Sequence, residues 1–388
     1  MKQDQKSELS AALKRFCDWY RCDALPLWTA RGYDENRGGF YEALNFDATP
    51  SIDRPRRVRS QARQIHAFSQ AGLRGWSAHA ETHAAAGFDY FLTHACSDNG
   101  ERGCVHLLDD RGAIIDDRRD LYDQAFLLLA CASRWQAAKD PRALQLAENA
   151  IAFLDRELAS PFGGWCESDR KELPRRQNPH MHLFEAFLAL HSATKDARYL
   201  DFVSRIYADC FRAFYDPSDG IIIERFNEDF SYDKNSGSIE PGHMFEWVWL
   251  LRFYEDASNV DFSDIRRTLY SRGAHIGGDP NFRGFVNNVV PIDETPRRGA
   301  KRLWPQTEYL RASLVQAGAG DNHARERALS LVNDLSKTYL NVEPAGLWID
   351  EFDSRGAPIA QDVPASILYH LHEAAAEAER FLKSEDGA

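Results

Sequence analysis

GIIIERFNEDF (Gly220–Phe230) is a glycine followed by β-branched and aromatic residues alternating with polar ones, closing on turn-formers. Its weight comes from recurrence. Runs of the same build are GGFYEALNF (Gly38–Phe46), GCVHLLDD (Gly103–Asp110), GGWCESD (Gly163–Asp169), GFVNNVVPID (Gly284–Asp293) and GLWIDEFDSRG (Gly346–Gly356), and their key glycines, Gly39, Gly103, Gly164, Gly220, Gly284 and Gly346, lie 56 to 64 residues apart. A fixed period of this length marks a repeat architecture, and each run reads as a short β-hairpin or extended loop. About 18 to 24 residues after each glycine an apolar helix begins, as in YDQAFLLLACA, HMFEWVWLL or SILYHLHEAA. Behind it comes a second segment, such as PRALQLAENAIAFLDREL, whose apolar residues keep the i, i+3, i+4 rhythm of a half-exposed helix. Six units of loop, buried helix and half-exposed helix predict an all-α (α/α)6 barrel, one domain over residues 1–388. An open solenoid of helix pairs is the alternative; the count of six and the lack of polar capping repeats favour closure.

The composition, 44% hydrophobic and 12% aromatic with nine Trp, suits a folded chain with a large core and a ring-bearing ligand. A formal net charge of -12 argues against nucleic acid or an anionic membrane as partner. The run DRPRRVRSQAR (Asp53–Arg63) goes the other way and could attract an anionic group. Seven scattered Cys without a CxxC pair point to reduced thiols in a cytoplasm. The N-terminal MKQDQKSELSAALKRF has no apolar signal-peptide core and reads as an amphipathic helix, and no run approaches eighteen apolar residues. The expectation is a cytoplasmic protein; monomer and homodimer stand equal.

If the six buried helices all begin at one end of the barrel, their first turns converge on one mouth. Arg63, Tyr122, Asn178, His182, His243, Glu246, Trp304, Glu308 and His370 fall there by phase. In EPGHMFEWVWLL, Pro241 marks the helix start and His243 sits in the first turn, where the positive end of the dipole favours a neutral ring able to act as a base. NPHMHLFEAFLAL places His182 and Glu185 three apart, an i, i+3 pair that locks the ring. A metal site is disfavoured by the lack of HExxH and of Cys ligands. His370 shares the phase of His243, whereas His372, two residues on, points elsewhere and reads as structural. Trp304 offers a flat wall for a ring and Glu308 an orienting carboxylate. Arg63, deep in an apolar run, reads as a fixed cation for a developing oxyanion; Arg59 reads as a solvated residue.

The stretches SQARQIHAFS, LYDQAFLLLA, NPHMHLFEAFLAL, EPGHMFEWVWLL, RLWPQTEYL and ILYHLHEA, in order over residues of about 60 to 372, resemble the N-acylglucosamine 2-epimerase superfamily, and NPHMH with WPQTE resembles its mannose isomerase branch. The resemblance implies an (α/α)6 barrel, a monosaccharide substrate, no metal or redox cofactor, and His243 with His370 as an acid–base pair. Arg63 falls on a catalytic position, and Tyr122, Asn178, His182, Glu246 and Trp304 on positions that bind or polarise the sugar. No Walker-type loop supports nucleotide binding. The expected activity interconverts D-mannose and D-fructose, with D-lyxose and D-xylulose as a second pair, through a cis-enediolate. A 2-epimerase of mannose, cellobiose or N-acylglucosamine is the alternative. A glycoside hydrolase, which needs two flanking carboxylates, and a non-catalytic sugar-binding protein are further ones.

Overall fold

A computed structural model describes residues 2–232, 237–292 and 298–386. Met1 and Asp293, the ends of two stretches quoted above, lie outside the described residues. The helices in chain order are α1 (Lys2–Trp19), α2 (Leu25–Arg31), α3 (Val58–Leu73), α4 (Ala80–His94), α5 (Leu121–Ala138), α6 (Pro141–Phe153), α7 (Gln177–Thr194), α8 (Ala197–Ile206), the single turn α9 (Arg212–Phe214), α10 (Pro241–Ser258), α11 (Ser263–Gly277), α12 (Leu303–Gly318), α13 (Asn322–Thr338) and α14 (Ile367–Asp386). Six of them form an inner ring. α3 packs on α5, α5 on α7, α7 on α10, α10 on α12 and α12 on α14, and α14 returns to α3. The ring is therefore closed, an (α/α)6 barrel, and the solenoid reading falls away.

Local chemistry sets where the helices begin and end. Asp120, Asp140, Asp196 and Asp321 each accept a hydrogen bond from a first-turn amide, which caps α5, α6, α8 and α13. Pro241 sits at the first position of α10, where the missing N–H costs nothing. Lys139, Lys195 and Asn259 end α5, α7 and α10 in the left-handed conformation. Inner helices are buried nearly all round because each meets two ring neighbours and an outer partner. α10 buries Met244, Phe245, Trp247, Val248 and Leu250 together, with Phe245 stacked on Tyr309 at 4.3 Å between centroids; burial of side chains of this size stabilises by about 1.5–3 kcal/mol each.

The outer partners of α3, α5, α7, α10 and α12 are the helices that follow them in the chain, α4, α6, α8, α11 and α13. Among the described residues no helix follows α14. Its outer partner is α1, which packs on both α13 and α14, so the amphipathic N-terminal helix completes the outer ring from the far end of the sequence.

The six key glycines have one structural reason. All have positive φ, between 59° and 96°, a region open to glycine at little cost. At Gly346 a Cβ would stand 2.5 Å from the Asp23 carbonyl oxygen, so no other residue fits. In three units an inner-helix glutamine clamps the loop after the glycine: Gln61 bonds the Phe40 N–H and C=O (2.7 and 2.8 Å), Gln124 those of Cys104 (2.8 and 2.9 Å), and Gln306 those of Val286 (2.8 and 2.9 Å). An unsatisfied buried amide costs about 1–3 kcal/mol, so each clamp fixes a loop onto its helix.

The short strands mostly pair between units and not within them. Arg56–Arg57 runs antiparallel to Leu107–Leu108, Arg175–Arg176 to Arg225–Phe226, Ser238–Ile239 to Val290–Pro291, Lys301–Arg302 to Glu351–Phe352, and Val363–Pro364 to Ala43–Leu44. The isolated bridge of Asp120 with Ser168 supplies the sixth contact. Each link ties the segment before one inner helix to the glycine run of the next unit. Local hairpins form only at Leu107–Asp116 and Tyr215–Ile222 among the described residues.

Candidate active site

The inner helices do start at one end, and a cavity of about 350 Å³ opens there. Each of the six contributes at or next to its first turns: Arg59 and Arg63 from α3, Tyr122 from α5, Asn178 from α7, His243 and Glu246 from α10, Trp304 from α12, and Ser366 and His370 at α14. Of the residues expected at the site, seven line this cavity. His182 and Glu308 do not; they are buried just behind the wall. Arg59, read as solvated, does line it.

His243 and His370 are held alike. The Nδ1 of His370 meets Glu308 Oε1 at 2.8 Å, and the Nδ1 of His243 meets Glu224 Oε2 at 2.9 Å. Each ring thereby keeps Nε2 without a hydrogen-bond partner among the described residues. The Trp304 indole lies against both rings, 5.2 Å from His243 and 5.5 Å from His370 between centroids.

Their charge states differ. Burial disfavours the imidazolium at His243, but the Glu224 and Glu240 carboxylates outweigh it and hold the pKa well above the ordinary imidazole value. The expectation of a neutral His243 is thus overturned: the dipole of the α10 N-terminus is weaker than two carboxylates, the nearer at 2.9 Å and Glu240 Oε2 at 3.7 Å. At His370 burial wins and pushes the pKa down to about 4, against the Glu308 hydrogen bond and with help from Arg63 and His182. At neutral pH His243 therefore carries a proton and His370 is neutral.

Glu224, and not the Glu246 of the same helix, holds His243 Nδ1. Glu246 lines the cavity, its Oε1 has no hydrogen-bond partner, and burial with the neighbouring Glu308 charge raises its pKa well above the carboxylate range. Asn178 Oδ1, Arg63 Nε and Asp350 Oδ1 are also buried without hydrogen-bond partners, and all four atoms belong to cavity-lining residues. Such atoms cost about 1–3 kcal/mol each unless a ligand meets them.

Arg63 donates from Nη2 to the Tyr122 hydroxyl at 2.7 Å, with its guanidinium 4.2 Å from the Phe126 ring centroid. His182 is locked as expected, Nδ1 to Glu185 Oε2 at 2.8 Å, and burial holds it neutral. Burial and Glu373 push Glu185 up to about 7. His180 anchors a loop, accepting from the Trp165 N–H at 3.1 Å, and His372 bonds the Tyr20 hydroxyl at 3.0 Å. Both are structural.

Glu224, Glu240 and Asp350 were missed in the sequence. A signal existed: Glu42, Glu167, Glu224 and Asp350 each follow a key glycine by three or four residues. Glu42 reaches Arg57 at 2.7 Å and Glu167 reaches Arg176 at 2.6 Å, so a carboxylate aimed at the neighbouring inner-helix start recurs. Two trios have the donor types a divalent cation takes, Glu224 with Glu240 and His243, and Glu246 with Glu308 and His370. Both are already joined internally by the imidazole hydrogen bonds, and Glu308 also bonds Arg311 and the Trp249 indole N–H, each at 2.9 Å. All seven cysteines are free, and among the described residues no helix is long and apolar enough to cross a membrane.

Comparison with known proteins agrees with this geometry. The family model of N-acylglucosamine 2-epimerase (GlcNAc 2-epimerase) matches residues 39–374. A mannose-6-phosphate isomerase of Rhizobium meliloti (strain 1021) is 34% identical over 375 residues, 94% of this chain and 96% of the relative. A D-mannose isomerase of Thermobifida fusca is 28% identical over 280 residues, 66% of this chain and 68% of its own. The solved structure of a cellobiose 2-epimerase from Spirochaeta thermophila DSM 6192 superposes with a TM-score of 0.86 at 23% identity, covering 97% of this chain and 98% of the other. The closed ring of helix pairs, the mouth built by all six units and the family match over most of the chain converge on one conclusion: the chain belongs to the N-acylglucosamine 2-epimerase family and is a sugar isomerase or epimerase.

Proposed function

We propose that the protein is an aldose–ketose isomerase interconverting D-mannose and D-fructose, and D-lyxose and D-xylulose, within one domain spanning 1–388 and without metal or redox cofactor. The observation that carries the reading is the pair of carboxylate-held imidazoles, one protonated and one neutral, facing one cavity across Trp304. Relatives named mannose isomerase support the sugar. Protonated His243 donates to the ring oxygen as the C1–O5 bond breaks, and the anomeric hydroxyl proton passes back to it as the C1 carbonyl forms. Neutral His370 takes the C2 proton, and the electron pair moves into the C1–C2 bond to give a cis-enediolate. Arg63 stabilises the negative oxygen, worth about 3–4 kcal/mol of barrier by analogy with oxyanion donors. The same imidazole returns the proton to C1, while His243 and Glu246 move the hydroxyl proton from O2 to O1. Every step is a proton transfer, so acid–base groups suffice. Asn178, Tyr122 and Trp304 bind the sugar; His182 and Glu308 act from behind the wall.

The same asymmetry favours a second reading, a 2-epimerase of mannose, cellobiose or N-acylglucosamine, in which His370 takes the C2 proton and His243 delivers one to the opposite face. Incubation of D-mannose with the protein in D2O separates the two. Fructose as the main early product is expected; glucose without fructose overturns the isomerase.

A further inference from the structure

The fold divides the basic run DRPRRVRSQAR between structure and site. Arg54 pairs with Asp362 near the outside, and Arg56 is buried against Asp34 at 2.8 Å, holding the first loop. Arg57, Arg59 and Arg63 line the catalytic cavity, and Arg302, from the segment before α12, joins them. The inter-unit links fix this placement, because Arg57 pairs with Leu107 and Arg302 with Glu351.

The four guanidiniums lie at two depths. Arg63 is nearly buried, in hydrogen-bond contact with Tyr122. The side chains of Arg59, Arg57 and Arg302 are 21%, 36% and 52% exposed, which places them toward the rim. Arg57 is the extended residue before α3 and Arg63 lies within the helix. A hexose whose C2 faces His370 spans six bonds from C2 to the phosphorus of a 6-phosphate, about 7 Å when extended. The floor and the rim arginines line one cavity.

The rim arginines are only partly engaged. Arg57 commits Nε to Glu42 at 2.7 Å, Arg59 Nη1 stands 3.4 Å from Asp123 Oδ1, and Arg302 Nε stands 3.7 Å from Glu351 Oε1. The terminal nitrogens of Arg57 and Arg302, and Nη2 of Arg59, have no hydrogen-bond partner among the described residues. Among the cavity's own carboxyl groups, Glu240 faces His243 at 3.7 Å. Burial raises Glu240 and Glu246, and pushes Asp350 up to about 6. A neutral sugar gives three crowded cations nothing to neutralise, and in a chain of net charge -12 their gathering at this mouth creates a local field of the opposite sign.

We propose that Arg57, Arg59 and Arg302 form a subsite for a phosphate ester on the sugar carbon farthest from C1–C2, which makes a hexose 6-phosphate the preferred substrate. The inference rests on the isomerase-or-epimerase reading and on the cavity being its active site. A planar fork with free N–H groups suits phosphate oxygens, and a charge-assisted hydrogen bond is worth about tenfold or more in binding.

The test compares kcat/KM for D-mannose 6-phosphate and D-mannose in the wild type, in Arg302→Gln and in Arg57→Gln/Arg302→Gln. The expected wild-type ratio favours the phosphate ester by about tenfold or more. Arg302→Gln lowers that ratio about tenfold, chiefly through KM, and the double variant lowers it further. Inorganic phosphate competes with D-mannose in the wild type and less in the double variant. Arg302 is half exposed, so its replacement keeps the fold, checked by an unchanged thermal melt. Turnover of D-mannose with a ratio near one overturns the subsite and leaves the isomerase reading standing, as does a ratio that Arg302→Gln does not move. Turnover of neither sugar overturns both.

Discussion

The His243 and His370 half-sites are built from the same parts and behave oppositely. Each has a buried imidazole, a carboxylate on Nδ1 at 2.8–2.9 Å and the Trp304 face alongside. The difference lies one shell further out. Glu308 shares its charge with Arg311, which is buried, bonds Glu373 at 3.1 Å and lies 3.7 Å from the Trp249 ring centroid. Behind His370, then, the carboxylate is already neutralised, and burial decides in favour of the neutral ring. Glu224 accepts instead from the neutral Gln177 side chain at 3.1 Å and has Glu240 for a neighbour. Behind His243 two negative charges remain, and the imidazole supplies the balancing cation. One residue type thus takes two charge states: Glu224 and Glu240 raise His243, while burial, Arg63 and His182 lower His370.

The comparison breaks most sharply on removal of either ring. His243→Ala and His370→Ala are each expected to lower kcat by about 10²–10⁴ with the fold kept, read by turnover and far-UV circular dichroism. Normal turnover in either variant removes that residue from the pair. Glu224→Gln keeps a hydrogen-bond acceptor but deletes charge. Activity needs His243 protonated, so it is lost as pH rises through the raised pKa of the folded ring. The variant moves this alkaline limb down toward the ordinary imidazole range, costing about tenfold in kcat at pH 8 for each unit the limb falls below 8. An unchanged alkaline limb assigns it to another group.

Arg311→Gln should do the converse and least. With Glu308 and Glu373 no longer neutralised, His370 becomes easier to protonate. Activity needs it neutral, so it falls as pH drops through the folded pKa, and the acid limb rises from about 4 toward the ordinary value. Activity at pH 5 drops by up to about tenfold while that at pH 8 is largely kept. The variant also leaves buried carboxylates unpaired, a stability loss of about 3–5 kcal/mol visible in the thermal melt. An acid limb that stays in place would show that Arg311 serves stability alone.

The fold was legible because its determinants are local. A glycine is required wherever φ is positive and a neighbour crowds the Cβ, so six such sites announce six units without any contact map. Helix phase then sufficed to gather Arg63, Tyr122, Asn178, His243, Glu246, Trp304 and His370 on one cavity. What failed to show depends on contacts between segments that are not adjacent in the chain. The hold of Glu224 on His243 crosses from a loop to the next inner helix, and α1 as partner of α14 joins the two ends of the chain. The protonation of His243 was misjudged for the same reason: the dipole is visible in α10 itself, whereas the stronger charge comes from outside the helix. The Glu308–Arg311 pair, three apart on α12, was within reach of sequence reasoning and was passed over.

The six inter-unit links form a hoop with no free end. The last of them joins Val363–Pro364 to Ala43–Leu44, so the first and sixth units are buckled together as firmly as any two neighbours. Because the segments in that hoop run directly into the first turns that carry Arg59, Tyr122, Asn178, His243, Trp304 and His370, the bore of the mouth and the spacing of the reactive groups share one circumference. Splaying any two units apart stretches the whole perimeter, so the site keeps its gauge collectively and not residue by residue.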